Sequence, residues 1–216
     1  MIGRPRVHHA VTDSTNERAK ELAEAGAPHG TLVTADEQTA GRGRQGREWL
    51  APPRSAMLMS LVLREFDPLL PLRAAVAVAE TVGSEEIKWP NDVWLGGRKV
   101  AGILVEGRAA EGWAVLGVGV NVGPVEFPPD LSAVPLDDGR SVDEVLAALL
   151  DSLAVWLDGP DPLPGLRRRD VLLGQTIGWV GGTGGVAAGI DDSGALLVDT
   201  DDGQVALQAG EVHLIL

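Results

Sequence analysis

The chain of 216 residues is 44% hydrophobic and 23% charged, enough to bury the core of one globular domain and a small companion. Its 18 Lys and Arg stand against 31 Asp and Glu, and the net charge of -13 argues against a nucleic-acid backbone as the main partner. The lack of cysteine excludes a disulfide framework, a thiolate zinc site and a cysteine nucleophile, and apolar runs such as Ala74–Ala79 are too short for a signal sequence or a membrane span, so a soluble, untargeted, cytoplasmic protein is expected.

Short apolar segments alternate with turn residues along the chain, without repeats. Arg6–Val11 reads as a strand. Asp13-Ser14-Thr15-Asn16-Glu17 follows, and Ser14 with Glu17 has capping-box spacing for a helix that runs to about Glu24, where Gly26 and Pro28 stop it. Thr31–Ala35 is a strand. Thr39–Arg54 holds three glycines, two prolines and four arginines and reads as a loop. Met57–Leu63 is an apolar strand, Leu70–Val82 an Ala-rich helix, and Lys88-Trp89-Pro90-Asn91-Asp92 follows a short strand. Arg98–Glu106 and Trp113–Val122 suggest an antiparallel hairpin, and Ser141–Leu157 is the last long helix. From Val171 onward there is no Lys or Arg but six acidic residues, and the apolar runs are punctuated by Gly-Gly, Asp-Asp-Ser-Gly and Asp-Asp-Gly, the turn chemistry of a second, all-β module. Asp191-Asp192 and Asp201-Asp202 are therefore read as turn residues and not as metal ligands. His8 and His9, adjacent on a strand, point to opposite faces and do not form a metal pair.

The loop Thr39–Arg54 carries four Arg and one Glu, a local charge of +3 that leaves -16 on the rest of the chain. Such a cationic island suits a small anion, since glycines let the backbone approach a ligand while arginines bring forked donors for phosphate or carboxylate; the plainer alternative is a solvated surface loop. Gly41-Arg42-Gly43-Arg44-Gln45-Gly46 matches the dinucleotide pattern G-x-G-x-x-G, but Pro52 and Pro53 forbid the helix that pattern needs. In the strand Arg98–Glu106, alternation sets Lys99 with Ala101, Ile103 and Val105, and Gly102 with Leu104 and Glu106 on the other face. Lys99 then either snorkels or reaches a buried anion. In Gly117-Val118-Gly119-Val120-Asn121 the small residues share one face; two glycines inside a strand leave room for a ligand, or for a closely packed helix.

Taken in order, Asp13-Ser14-Thr15-Asn16, Glu37 to Trp49, Lys88-Trp89-Pro90-Asn91-Asp92, Lys99-Val100-Ala101-Gly102-Ile103-Leu104 and Gly117 to Asn121 resemble the biotin protein ligases. The likeness is strongest over Val11–Val122, and the Gly- and Asp-rich end resembles that family's SH3-like C-terminal domain. It implies an α+β fold, a mixed β-sheet flanked by helices and shared with lipoyl ligases, with residues 1–170 as the catalytic biotin- and ATP-binding domain and 171–216 as a small SH3-like β-barrel. It also implies the reaction: biotin is activated by ATP as biotinyl-5'-adenylate and passed to a lysine of a biotin carboxyl carrier protein or domain. Such chemistry needs fixed cations around a crowded phosphoryl centre more than an acid or base.

By this resemblance Lys99 and Arg44 are the catalytic candidates, with Lys99 bridging carboxylate and α-phosphate. Ser14, Thr15, Asn16 and Gln38 wall the ureido ring and Gly102 gives it room. Gly41, Arg42, Gly43 and Arg44 close over biotin; Arg47 meets phosphates, Trp49 the adenine, and Asn91, Asp92 and Asn121 hold the nucleotide. Mg²⁺ is implied with ATP; its ligands are not readable, and Asp92 is the candidate. No nucleic-acid or membrane partner is expected, and a homodimer is compatible with the likeness. With twelve residues before Asp13, a form without the helix-turn-helix domain of some members is expected. A lipoate ligase shares the adenylate chemistry but takes an extended acyl chain, and the polar set Ser14, Thr15 and Gln38 argues for a ureido ring. A non-catalytic small-molecule binder or adaptor is the alternative from another class.

Overall fold

In a computed structural model, which describes residues 1–125, 127–128, 131–182 and 184–215, the chain builds two sheets. The strands of the first are β1 (Arg6–Thr12), β2 (Leu32–Gln38), β3 (Ala56–Leu63), β4 (Glu86–Lys88), β5 (Asp92–Leu95), β6 (Arg98–Arg108) and β7 (Trp113–Asn121). Across the sheet they lie in the order β1-β2-β3-β7-β6-β5-β4, parallel between β1 and β2 and antiparallel elsewhere. The helices are α1 (Thr15–Glu24), α2 (Leu70–Val82), α3 (Val142–Trp156) and the short α4 (Leu163–Arg168).

Period-two alternation decides what each face buries. On β7, Leu116, Val118 and Val120 enter the large core with Val76, Val78 and Ala79 of α2 and Leu149 and Leu153 of α3. The opposite face packs Val33, Val62 and Val115 against Ala19 and Ala23 of α1. Each fully buried Leu or Val of this kind contributes about 1.5–3 kcal/mol relative to exposure. Beyond the apolar end of α1, the α1 face of the sheet is left to Gly117, Gly119, Gly102 and polar side chains, and there the cavity forms.

Two local expectations are corrected. Ser14 stands at the N-cap of α1, but its hydroxyl makes no cap bond. The Ser14 N–H donates instead to Asp13 Oδ1 at 2.7 Å, and Glu17, the other half of the expected box, pairs with Lys20 and Arg42. A capping box does form at Ser141 and Glu144, which open α3. The second correction concerns β6. Against β5, Trp94 pairs with Lys99 and Val93 with Ala101, so Val100 is an extra residue and the strand carries a β-bulge. Lys99 is thereby turned to the side of Gly102, whose hypothetical Cβ would lie 3.0 Å from Lys99 Nζ, and away from the Ala101 face that simple alternation assigned to it. The β4–β5 hairpin and α4 are too short to carry a periodic signal.

The second sheet comprises β8 (Thr176–Trp179), β9 (Gly185–Ile190), β10 (Leu196–Thr200), β11 (Gly203–Leu207) and β12 (Val212–Leu214), all antiparallel in the order β11-β10-β9-β8-β12. Asp191 makes the expected turn: its Oδ1 accepts from Ser193 N, Ser193 Oγ and Ala195 N at 2.8, 2.7 and 2.9 Å. The Trp89 indole, just after β4, donates to the Gly194 carbonyl at 3.0 Å and ties the first sheet to this second one. Among the described residues no helix is long and apolar enough to cross a membrane.

Candidate active site

A cavity of about 300 Å³ opens on the α1 face of the first sheet, floored by β7 and β6 and roofed by the arginine-glycine loop. All the residues that the resemblance singles out line it save Gly41, whose hypothetical Cβ would press on the Trp49 carbonyl and come within 2.9 Å of Gln38 Nε2. Glycine there lets the two arms of the loop meet, with Trp49 N donating to the Gly41 carbonyl at 3.0 Å.

One end of the cavity is polar and uncharged. The Thr15 amide and hydroxyl both donate to Gln38 Oε1, at 2.7 and 3.0 Å, which fixes the Gln38 amide with its Nε2 as the remaining donor. Ser60, absent from the sequence reading, is fully buried beneath them and makes contacts of 2.8 Å to Thr15 Oγ1 and 2.6 Å to Asn16 Oδ1. Asn16 donates from Nδ2 to Glu106 Oε2 at 2.8 Å, so its amide is held from both sides above Gly117. Gly117 thus accommodates a packed helix residue. Burial works to raise the Glu106 pKa, but hydrogen bonds from Asn16 and Lys20 outweigh it and hold this carboxyl below its usual value.

The other end is cationic. Lys99 Nζ lies 2.7 Å from Asp92 Oδ1, on strands joined by the Asp92–Gly102 pair. Its backbone is pinned by the segment after β7, with Lys99 N donating to Ser132 O at 3.0 Å and Val134 N to Lys99 O at 2.9 Å. Asn121, buried at the end of β7, turns its amide toward the Val134 carbonyl at 3.3 Å and reinforces that clasp. Asn91 accepts from Arg44 Nη1 at 2.8 Å through Oδ1 and donates to Ile103 O at 2.9 Å through Nδ2. Lys88 also lines the cavity; burial pulls its pKa down, opposed by Asp92. Sequence reasoning quoted Lys88 in its motif without giving it a role, although a lysine three residues before two amide- and carboxylate-bearing neighbours was the available signal.

The loop is folded back on itself, Gly43 N donating to Arg47 O at 2.7 Å around a 3-10 turn at Arg44–Gly46. Arg42 and Arg47 pair with Glu17 and Glu211, at 2.7 and 2.9 Å. Trp49 turns inward: a Cβ on Gly119 would fall 2.6 Å from its Cε2 and one on Gly102 2.9 Å from its Cζ3, so the indole occupies the space these glycines free. Its Nε1 is buried without a hydrogen-bond partner among the described residues, and Lys99 Nζ stands 5.6 Å from the ring centre. Among the described residues no group of three or more His, Asp or Glu is placed to hold a metal ion.

Comparison with known proteins gives a consistent result. Residues 9–122 match the Biotin/lipoate A/B protein ligase family and residues 181–214 the Biotin protein ligase C terminal domain. The chain is 38% identical to the biotin--[acetyl-CoA-carboxylase] ligase of Paracoccus denitrificans, over 94% of this chain and 98% of that one. It is 36% identical to the ligase of the same name from Mycobacterium tuberculosis, over 95% and 87%. Among solved structures, the biotin protein ligase from Aquifex aeolicus in complex with biotin and ATP superposes with a TM-score of 0.84 at 28% identity, covering 98% of this chain and 99% of that one.

Proposed function

We infer the function from one premise: the chain belongs to the biotin/lipoate A/B protein ligase family. It is an ATP-dependent biotin protein ligase. In the first step the biotin carboxylate attacks the α-phosphorus of ATP, a carboxyl–phosphate bond forms, and pyrophosphate leaves with the electrons of the broken P–O bond. In the second the amine of an acceptor lysine, on a biotin carboxyl carrier domain, attacks the acyl carbon; an amide forms, AMP departs, and the amine proton passes to solvent.

The observation that carries the assignment of roles is the two-ended cavity, polar and neutral at Thr15 and Gln38, cationic at Lys99, Lys88 and Arg44. In this reading the ureido ring lies against Ser14, Thr15 and Gln38, with Asn16 and Ser60 holding them in place. Lys99 faces the point where carboxylate and α-phosphate meet and offsets the charge that gathers on the phosphoryl oxygens. Arg44 and Lys88 add to that field. Asp92 keeps the Lys99 ammonium aimed, and Asn91 and Asn121 order the strand ends around the nucleotide. Mg²⁺ brought in on the nucleotide would be held by the phosphates, with Asp92 as the carboxylate of the cationic end that would help hold it. Its chemistry is to neutralise phosphate charge. The division at residue 170 into a catalytic domain and an SH3-like module, and a cytoplasmic setting, belong to the same proposal.

The test is incubation of the purified chain with biotin, ATP, Mg²⁺ and a carrier domain, read by avidin blot and pyrophosphate release. Biotin-dependent pyrophosphate and labelled acceptor are expected. Neither signal, with biotin still bound, would leave a binding protein in place of an enzyme.

A further inference from the structure

The arginine-glycine loop contributes four arginines and one glutamate, so its charge must be balanced from elsewhere. Three carboxylates outside the loop face its arginines: Asp36 of β2 lies 3.3 Å from Arg54 Nε, and two on other elements meet the arms nearer the cavity. At the near arm, Arg42 Nη1 lies 2.7 Å from Glu17 Oε1 on α1. Glu17 is backed by Lys20 at 2.5 Å, and Lys20 by Glu106 Oε1 of β6 at 2.9 Å, so an alternating chain of charges runs from the sheet through α1 to the loop. At the far arm, Arg47 Nη1 lies 2.9 Å from Glu211 Oε1, next to β12 in the second sheet. The two carboxylate side chains are 27% and 32% exposed while their arginines are about half exposed, so the fixed partner in each pair is the one outside the loop. Two residues past Arg47, the loop presses Trp49 onto Gly102 and Gly119.

We propose that Glu17 and Glu211 are positioning residues that hold the loop shut over the cavity by its two arms, and that in the reaction proposed above they retain biotinyl-adenylate until the acceptor arrives. Neither touches the reacting atoms. Arg42 and Arg47 then serve as the loop's grips, and the second sheet acts on the first-sheet site through Glu211.

The full chain and its Glu17→Gln, Glu17→Asp and Glu211→Gln variants are compared in two assays. Limited trypsin digestion of the ligand-free protein reads how often the loop opens, since Arg42, Arg44 and Arg47 are cleavage sites inside it. A chase of preformed biotinyl-adenylate reads its escape. Each Glu→Gln change should speed both by about two- to fivefold, the range set by partly exposed ion pairs, with the melting temperature unmoved and pyrophosphate release during the first turnover unchanged. Glu17→Asp, which keeps the charge, should return cleavage and escape toward wild type. Unchanged loop cleavage in both Gln variants overturns the anchoring, and faster cleavage with unchanged adenylate escape overturns the retention role. A wild-type protein that makes no adenylate overturns the functional reading instead, and the trypsin comparison then decides the anchoring by itself.

Discussion

Lys99 owes its place to backbone and charge together. The bulge at Val100 turns it toward Gly102, the clasp from Ser132 and Val134 fixes its main chain, and Asp92 draws the ammonium into the cavity. A cation held this way is already oriented when charge develops on the phosphoryl group, which is why removing it should cost the chemical step more than binding. Lys99→Ala is expected to lower adenylate formation by about 10²–10³-fold, the loss typical of one preorganised donor, while biotin affinity falls much less. Single-turnover pyrophosphate release and biotin titration measure the two effects. Equal losses in both would make Lys99 a binding residue and no more. Lys99→Arg should not rescue the rate, because a planar fork cannot take the place of a compact point charge between Asp92 and Gly102.

At the scale of elements, α1 is seated by a polar contact on a glycine. The Asn16 amide is gripped by Ser60 and Glu106, and a Cβ on Gly117 would collide with Asn16 Oδ1 and lie 2.9 Å from its Cγ. With both ends of the amide held, it cannot step aside. Gly117→Ala should therefore cost about 1–3 kcal/mol of stability, the usual penalty of overpacking, and loosen biotin binding by tilting the start of α1. Urea unfolding and biotin titration would show this; a cost below about 0.5 kcal/mol would mean α1 shifts freely on the sheet. The same region marks what the sequence could tell. The five longer strands of the first sheet, α1, α2 and α3 were legible because apolar periodicity and Gly or Pro stops are local, and the motif string pointed to residues that line the cavity. The grip on Asn16 was not, since Ser60 and Glu106 reach it from strands far along the chain. Nor does spacing alone make a cap: Ser14–Glu17 and Ser141–Glu144 share one pattern, but only the second forms, because Asp13, Lys20 and Arg42 compete for the partners of the first. The facing of Lys99 failed for a third reason, as one unpaired residue in β6 reverses a count of two.

The whole molecule is joined at a seam where the chain leaves α4 for the second sheet. Ile87 of β4 donates to Arg169 O at 2.7 Å and accepts from Val171 N at 3.1 Å, so Asp170 is carried into the join. One of its oxygens accepts from Leu172 N at 3.0 Å; the other is buried with no partner among the described residues. Burial pushes the Asp170 carboxyl above its usual pKa, against the smaller pull of the Leu172 hydrogen bond. A folded-state pKa above the unfolded one means that the native protein holds this proton more tightly. The contribution of Asp170 to stability is then complete below the unfolded carboxylate value, about 3.9, and is lost as pH rises through the folded value. Above the folded value the seam carries an ionised group that it solvates poorly. Asp170→Asn keeps the acceptor for Leu172 and removes the charge, so the variant should melt higher than wild type at pH 8. That advantage should shrink on acidification and vanish near pH 3, below the unfolded value. Carboxyls held below their usual range, such as Glu106, Asp138 and Asp191, make both proteins weaker in acid and cancel in the difference. Melting curves of the two proteins across this range measure it directly. A difference that is flat with pH, or largest in acid, would mean that the seam pays nothing for the Asp170 charge and that something other than this carboxylate limits how firmly the two sheets are joined.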